Sequence, residues 1–333
     1  MKKLLILGAG AGGTMIATKM RKLLSEREWE ITIIDRDPVH HYQPGWLLVP
    51  FGVDTPQGCV RPKKDFISRG VKFVLDTITA VDPIQRKVEC TNSSHTYDWV
   101  VVASGARIAP DEVPGLMDDW GGKIHNFYTP DGAAALYGKM KHFKKGRLVL
   151  HICETPIKCP VAPLEFVYMA DWYLQKMGVR KDVEIELVTP LTGAFTKPVA
   201  NNILGALCEQ KGIKVTTNWT VDSVEADRAV ISSVTGDEIP YDLLVSIPPN
   251  LGQEFLIESD VSDVTGFIDT DKELLKSKKF ENMYIIGDAT NVPASKAGSV
   301  AHFEADVIAQ NLLSDIEGTD NYYRFDGHTN CFI

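Results

Sequence analysis

Gly8, Gly10 and Gly13 stand in the spacing Gly-x-Gly-x-x-Gly directly after the apolar run Lys3 to Leu7, and Asp35 closes the next apolar, β-branched run, Glu30 to Ile34. Between a strand and a helix, this spacing serves to bind the pyrophosphate of a dinucleotide. Gly8 permits a tight turn, Gly10 lets backbone N–H groups approach the phosphates, and Gly13 lets helix and strand pack closely. The positive end of the helix favours the phosphate charge. Ala11 and Gly12 complete the turn, and Asp35 is placed to accept hydrogen bonds from the adenosine ribose. The glycine pattern alone does not separate one dinucleotide from another.

Six cysteines, at positions 59, 90, 153, 159, 208 and 331, are the second set of residues able to do chemistry. Scattered through a long chain, they do not resemble the framework of a small secreted domain, so a pair among them is expected to be redox-active or metal-binding. Cys153 and Cys159 are spaced C-x5-C, outside the usual zinc spacing, and nearby His151 adds little; no metal site is expected. Cys59, Cys90 and Cys208 read as small buried hydrophobes. Cys153 reads either as packing at a strand end or as an alternative partner for Cys159.

These groups must be positioned by a chain of 333 residues, of which 44% are hydrophobic, enough for two domains. The formal charge of −9 argues against a nucleic-acid or anionic-membrane surface, which needs clustered Lys and Arg; the pairs Lys63-Lys64, Lys144-Lys145 and Lys278-Lys279 read as solvated surface. No apolar stretch is long enough to cross a bilayer, and the N-terminal apolar run is too short for a signal-peptide core, so a cytoplasmic protein is expected. Peripheral membrane attachment is left open. Thr14 to Leu24 has helical character and opens a βαβ unit with the two apolar runs. His40 to Pro62, rich in Pro, Gly and aromatics, reads as a long functional loop. Short β-like runs follow at Val71 to Leu75, Thr77 to Val81, Lys87 to Cys90 and Trp99 to Ala103. The pattern then recurs: strands at Arg147 to Ile152, Val183 to Val188 and Lys214 to Thr217, with helices at Pro163 to Lys176 and Val199 to Gln210. Met283 to Ile286 reads as a buried strand and Gly298 to Leu313 as a helix.

Two further segments bear on the ligand. Tyr97 to Ala106, with Ser104-Gly105 after its buried strand, resembles the second flavin motif of two-domain flavoproteins. Met283 to Ala289 resembles the third, in which Gly287-Asp288 turns a carboxylate toward the ribityl and pyrophosphate region of FAD. Where a second glycine fingerprint would follow Arg147 to His151, the sequence instead reads Ile152-Cys153-Glu154-Thr155-Pro156-Ile157-Lys158-Cys159-Pro160-Val161-Ala162-Pro163. Prolines lack the N–H donors that cradle a pyrophosphate, so NAD(P)H is a poor candidate for electron donor.

With Pro156-x-Lys158-Cys159-x-x-Ala162-Pro163-x-Glu165, Pro293-x-x-Lys296-Ala297-Gly298-x-x-Ala301-His302 and Asp326-Gly327-x-x-x-Cys331, the chain resembles the sulfide:quinone oxidoreductase and flavocytochrome c sulfide dehydrogenase family over nearly its whole length. The resemblance implies an α/β fold of two Rossmann-like dinucleotide-binding domains, the first discontinuous. Expected limits are 1–105 and 264–320 for the FAD-binding domain, 106–263 for the second, and 321–333 for a C-terminal segment carrying Cys331. It also implies FAD as cofactor, held by the fingerprint and by Ala80, Ser104, Gly105, Gly287, Asp288, Lys296 and Gly298. Lys296 matches a position near the flavin pyrimidine edge, and Glu165 one that manages protons near the cysteines, although from the residues alone Glu165 reads equally as a helix-start carboxylate that favours the dipole.

In the family, the residues matching Cys159 and Cys331 pair beside the flavin and cycle between disulfide, persulfide and thiol. Hydrosulfide can attack such a disulfide by thiol exchange, leaving a persulfide and a thiolate through which two electrons reach the flavin. Sulfide is therefore the expected substrate and quinone the expected acceptor. Two departures stand out. Many quinone-linked members carry a third cysteine where this chain has Asn126-Phe127-Tyr128-Thr129. The chain also stops two residues after Cys331, short of the amphipathic helices that dock such members on membranes, which leaves open a truncated chain or a member that works without them. Two rivals stay open beside the sulfide enzyme: a type II NADH:quinone oxidoreductase, and a non-catalytic FAD-binding sulfur carrier or interaction subunit. A homo-oligomer is an open expectation.

Overall fold

The computed structural model describes residues 1–331, which divide into two compact units. Among them, the first unit comprises Met1–His41, Arg61–Arg107 and Leu251–Cys331, and the second Tyr42–Val60 and Ile108–Asn250.

In the first unit five parallel strands lie in the order Met283–Ile285, Trp99–Val102, Lys2–Leu7, Trp29–Asp35, Val71–Leu75. The central strands are apolar on both faces because both faces are covered. Leu4, Ile6, Ile31, Ile33, Val101 and Tyr284 pack under the helices Ala11–Leu23 and Gly298–Glu317. The alternate residues Leu5, Leu7, Ile34, Val100, Val102 and Ile285 pack under an antiparallel three-stranded sheet built from Ile78–Asp82, Lys87–Cys90 and Ser94–Thr96.

The second unit repeats this plan. Its parallel sheet runs Ile124–His125, Leu243–Ile247, Gly146–Ile152, Val183–Val188, Ile213–Thr216. The helices Pro130–Met140, Ala162–Lys176 and Pro198–Gln210 accompany it, as does a second antiparallel sheet from Val221–Glu225, Val230–Ser233 and Glu238–Pro240. The expected pair of Rossmann-like domains, the first discontinuous, is therefore present.

Besides a two-residue shift at 106–107, the units divide the chain elsewhere than expected at three places. The stretch His40 to Pro62 is not simply a loop: it contains the helix Gln43–Trp46 and the 3-10 turn Val49–Phe51. Trp46, Leu47, Val49 and Phe51 are buried in the core of the second unit, which assigns 42–60 to that unit. Residues 251–263 fall in the first unit because Leu256 and Val261 join its core. So does 321–331, since Phe325 is buried there and Tyr323 exchanges two hydrogen bonds with the buried Asn311 carboxamide.

Candidate active site

In the first unit the register aligns the carboxyl ends of the strands: Leu7 lies beside Ile34 and Val102, and Ile285 beside Val102. The turns that follow, at Gly8, Ala103 to Gly105 and Ile286 to Asp288, therefore open on one edge of the sheet, where open α/β sheets bind ligands. Packing explains the outer glycines of the fingerprint. A Cβ on Gly13 would lie 1.9 Å from the Gly8 carbonyl oxygen, and one on Gly8, at φ +105°, would lie 2.4 Å from the Ala103 carbonyl oxygen. Gly12 is close to Ile286, 3.1 Å from its Cγ2 by the same construction.

Gly10 is different, because a Cβ there would meet no protein atom within 4 Å. Gly105 and Gly298 likewise face open space. Gly10 and Ala297 are the N-cap residues of the helices Ala11–Leu23 and Gly298–Glu317, and neither end is closed by a side-chain hydrogen bond. Beside these turns the buried Ser104 and Ser299 hydroxyls have no hydrogen-bond partner. Uncapped helix N-termini, orphaned hydroxyls and space beside glycines are what a bound pyrophosphate requires. The residues present fit FAD, whose phosphates Gly10, Ala11 and the two helix ends would hold.

The Asp35 carboxylate ends its strand as expected. It accepts from the N–H groups of Ala9 at 2.7 Å and Asp37 at 2.9 Å, and pairs with the Lys63 ammonium at 2.8 Å. This corrects the reading of Lys63 as solvated surface: its side chain is 7% exposed, and burial of an ammonium requires a partner of this kind. Ala80 lies outside the parallel sheet, on the strand Ile78–Asp82 and opposite Glu89.

Around Gly287-Asp288 the sequence conceals a buried electrostatic cluster. Lys296 is buried, its ammonium donating to the Asp288 and Thr290 carbonyls at 2.8 and 2.9 Å and lying 3.8 Å from the Phe267 ring centre. Burial lowers its pKa, against the pull of Asp288, Glu304 and Asp263. Glu304, which sequence reasoning missed, is 1% exposed and accepts the Gly287 N–H at 2.6 Å. Burial pushes its carboxyl up to about 7. Its only signal in the sequence was a carboxylate one helical turn beyond Val300 and Ala301 on an apolar helix face.

In the second unit, Gly146–Ile152 leads into the proline- and cysteine-containing segment. Cys153 is buried, 3.2 Å from the Ser246 hydroxyl and 3.6 Å from His151 Nδ1. Burial pushes its thiol up to about 12, and the fully buried His151 down to about 3, so both are neutral near pH 7. Cys159 is half-buried and has a left-handed backbone, φ +50°, a conformation that favours glycine. Its carbonyl accepts the Ala162 N–H at 3.0 Å, placing it in the turn that enters the helix Ala162–Lys176. Glu165 lies in the first turn of that helix, half-buried, and burial raises its pKa. Cys331 is exposed in the first unit, beyond the Phe325 anchor. Val183–Val188, the second strand of this unit, ends on Val188-Thr189, with no carboxylate in the position that Asp35 holds in the first.

A family model described as pyridine nucleotide-disulphide oxidoreductase matches residues 2–142. The chain is 27% identical over 338 residues to the mitochondrial sulfide:quinone oxidoreductase of Dictyostelium discoideum, covering 99% of this chain and 75% of the relative. It is 32% identical over 356 residues to the type II NADH:quinone oxidoreductase of Staphylococcus aureus, covering 100% of this chain and 87% of the relative. The solved sulfide:quinone oxidoreductase of Aquifex aeolicus superposes with a TM-score of 0.83 at 19% identity, over 96% of this chain and 78% of that one. With relatives of this kind matching it end to end, the chain belongs to the FAD-dependent oxidoreductases built on two dinucleotide-binding domains, the family of the sulfide:quinone and type II NADH:quinone oxidoreductases.

Proposed function

We propose that the chain is a sulfide:quinone oxidoreductase, with Cys159 and Cys331 as its redox pair. The observation that carries this reading is the segment at the first strand end of the second unit. Where a nicotinamide-binding loop needs glycine and free N–H groups, it has prolines and a cysteine held in a left-handed backbone at a helix entrance. Bound FAD supplies a two-electron acceptor that can pass its electrons to quinone.

The residues of the chain do the rest. Hydrosulfide attacks one sulfur of the Cys159–Cys331 disulfide, forming a persulfide there and releasing the other cysteine as thiolate. A second hydrosulfide attacks the persulfide and carries the sulfane sulfur away as polysulfide, leaving two thiols that return to the disulfide on giving up two electrons and two protons, for which bound FAD would be the acceptor. Glu165, in the first turn of the helix that follows Cys159 and with its pKa raised by burial, is the group this reading assigns to take and return protons. Gly8, Gly10, Ala11, Gly12, Gly13, Asp35, Ala80, Ser104, Gly105, Gly287, Asp288, Lys296 and Gly298 form the cofactor set in this reading. No helix among the described residues is long and apolar enough to cross a membrane. Because quinones are lipid-soluble, the reading carries peripheral contact with the inner face of the cell membrane.

The higher identity to a type II NADH:quinone oxidoreductase favours one rival reading. The two part on the electron donor. In an anaerobic titration of the FAD-loaded protein, sulfide is expected to bleach the flavin, and NADH and NADPH to leave it oxidised. Rapid bleaching by NADH at comparable concentration would overturn the sulfide reading, and bleaching by none of the three would favour a non-catalytic subunit.

A further inference from the structure

Cys159 keeps a backbone conformation that its own side chain disfavours, so something outside it must hold the turn. The backbone of the preceding residue shows what does. The Lys158 N–H donates to the Asn250 side-chain oxygen at 2.9 Å, and the Lys158 carbonyl accepts from the Tyr128 hydroxyl at 2.7 Å. Both main-chain polar groups of Lys158 thus bond to side chains from distant parts of the second unit.

Each of these side chains is itself fixed. Asn250 is buried, and its amide donates to the Pro248 carbonyl at 2.8 Å, which sets which end of the carboxamide faces Lys158. Tyr128 is buried at the entrance to the helix Pro130–Met140. Its N–H donates to Asn126 Oδ1 at 2.8 Å, while Thr129 caps the helix by accepting the Gly132 N–H at 3.1 Å. The Lys158 ammonium lies 5.7 Å from the Tyr128 ring centre, so side chain and main chain are gripped together. Glycine is the residue a left-handed turn ordinarily selects. A cysteine there, under a two-sided clamp, points to a sulfur whose presentation matters more than the ease of the turn.

We propose that Tyr128 and Asn250 are positioning residues for Cys159: they fix the two peptide units that flank the Lys158 Cα, the Ala162 N–H holds the Cys159 carbonyl on the far side, and between these supports the left-handed turn presents the Cys159 sulfur. The role rests on the reading of Cys159 as the redox cysteine. Tyr128 stands in the stretch where many quinone-linked members have a third cysteine, so in this chain the stretch serves the redox cysteine through a hydrogen bond.

The test is site-resolved alkylation. Reduced protein, with and without FAD, is treated with iodoacetamide and the modification rate of each cysteine is followed by mass spectrometry, in wild type, Tyr128→Phe and Asn250→Ala. Cys159 is expected to react about fivefold more slowly in each variant, the ratio that one lost hydrogen bond of ordinary strength gives. Buried Cys153 and Cys208 and exposed Cys331 should keep their rates. Anaerobic flavin reduction by sulfide should slow by a similar factor at unchanged FAD content. Unchanged or faster reaction at Cys159, or a rise shared with Cys153 and Cys208, overturns the proposal, since a merely loosened fold exposes all the buried thiols together. If Asn250→Ala does not fold, Tyr128→Phe decides alone, because it keeps the packed ring. Cys159→Ala separates the two levels: sulfide bleaching that survives it removes the redox reading, while the Cys159 alkylation rates in Tyr128→Phe and Asn250→Ala still report on the clamp.

Discussion

Replacing Glu304 by glutamine should change the pH dependence of stability more than stability itself. The Glu304 carboxyl is 1% exposed, and its folded pKa is raised from 4.5 to about 7, by burial first and by the nearby Asp288 charge, against the Gly287 N–H and Lys296, which favour the anion. A rise of 2.5 units, at ~1.36 kcal/mol per unit, is worth about 3 kcal/mol. Because the folded pKa lies above the unfolded one, the folded state holds the proton more tightly. That stability is complete below about pH 4.5 and is lost as pH rises through about 7. Glutamine has no such titration, and its amide oxygen can still accept the Gly287 N–H. Urea unfolding of the FAD-free protein at pH 5, 6, 7 and 8 gives the measurement. Groups outside this cluster titrate alike in both proteins, so the difference between variant and wild type isolates Glu304 together with the Lys296 ammonium coupled to it. The variant should gain about 2–3 kcal/mol relative to wild type between pH 5 and pH 8. A difference that stays flat across that range would show that the carboxyl is ionised in the fold throughout, and the account of this buried cluster would fail.

Gly10→Val should abolish FAD binding while leaving the fold intact, because a Cβ there meets no protein atom within 4 Å and the branched side chain fills space reserved for phosphate; yellow protein of undiminished FAD content would refute this. Cys159→Ala and Cys331→Ala should each remove sulfide-dependent flavin reduction while FAD stays bound, and the double variant should be little worse than either, since the two sulfurs act as one unit. Cys153→Ala should keep activity, because a buried thiol pushed up to about 12 is a poor nucleophile at neutral pH. Loss of turnover with Cys153→Ala but not with Cys331→Ala would redraw the pair as Cys153 with Cys159.

What the sequence determined by itself is local or periodic. The fingerprint at Gly8, Gly10 and Gly13 is legible because strand, turn and helix are covalently adjacent, so their spacing already contains the geometry. The two-unit plan is legible because strands covered on both faces leave uninterrupted apolar runs, and Val183–Val188 could be read to the residue for that reason. Even the absent glycine loop after Ile152 needed only the identity of neighbouring residues.

What only the tertiary structure decided depends on side chains meeting across long stretches of chain. Lys63 looked like one of a solvated pair until the fold set it against Asp35. Glu304 became a titrating group only because the turn at Gly287, seventeen residues earlier, packs against its helix. The clamp on Lys158 joins residues 30 and 92 positions away, and no periodicity records such partners. The assignment of Trp46 to Phe51 to the second unit has the same cause: an apolar residue in the sequence announces that it will be buried, and only the packed fold says against what.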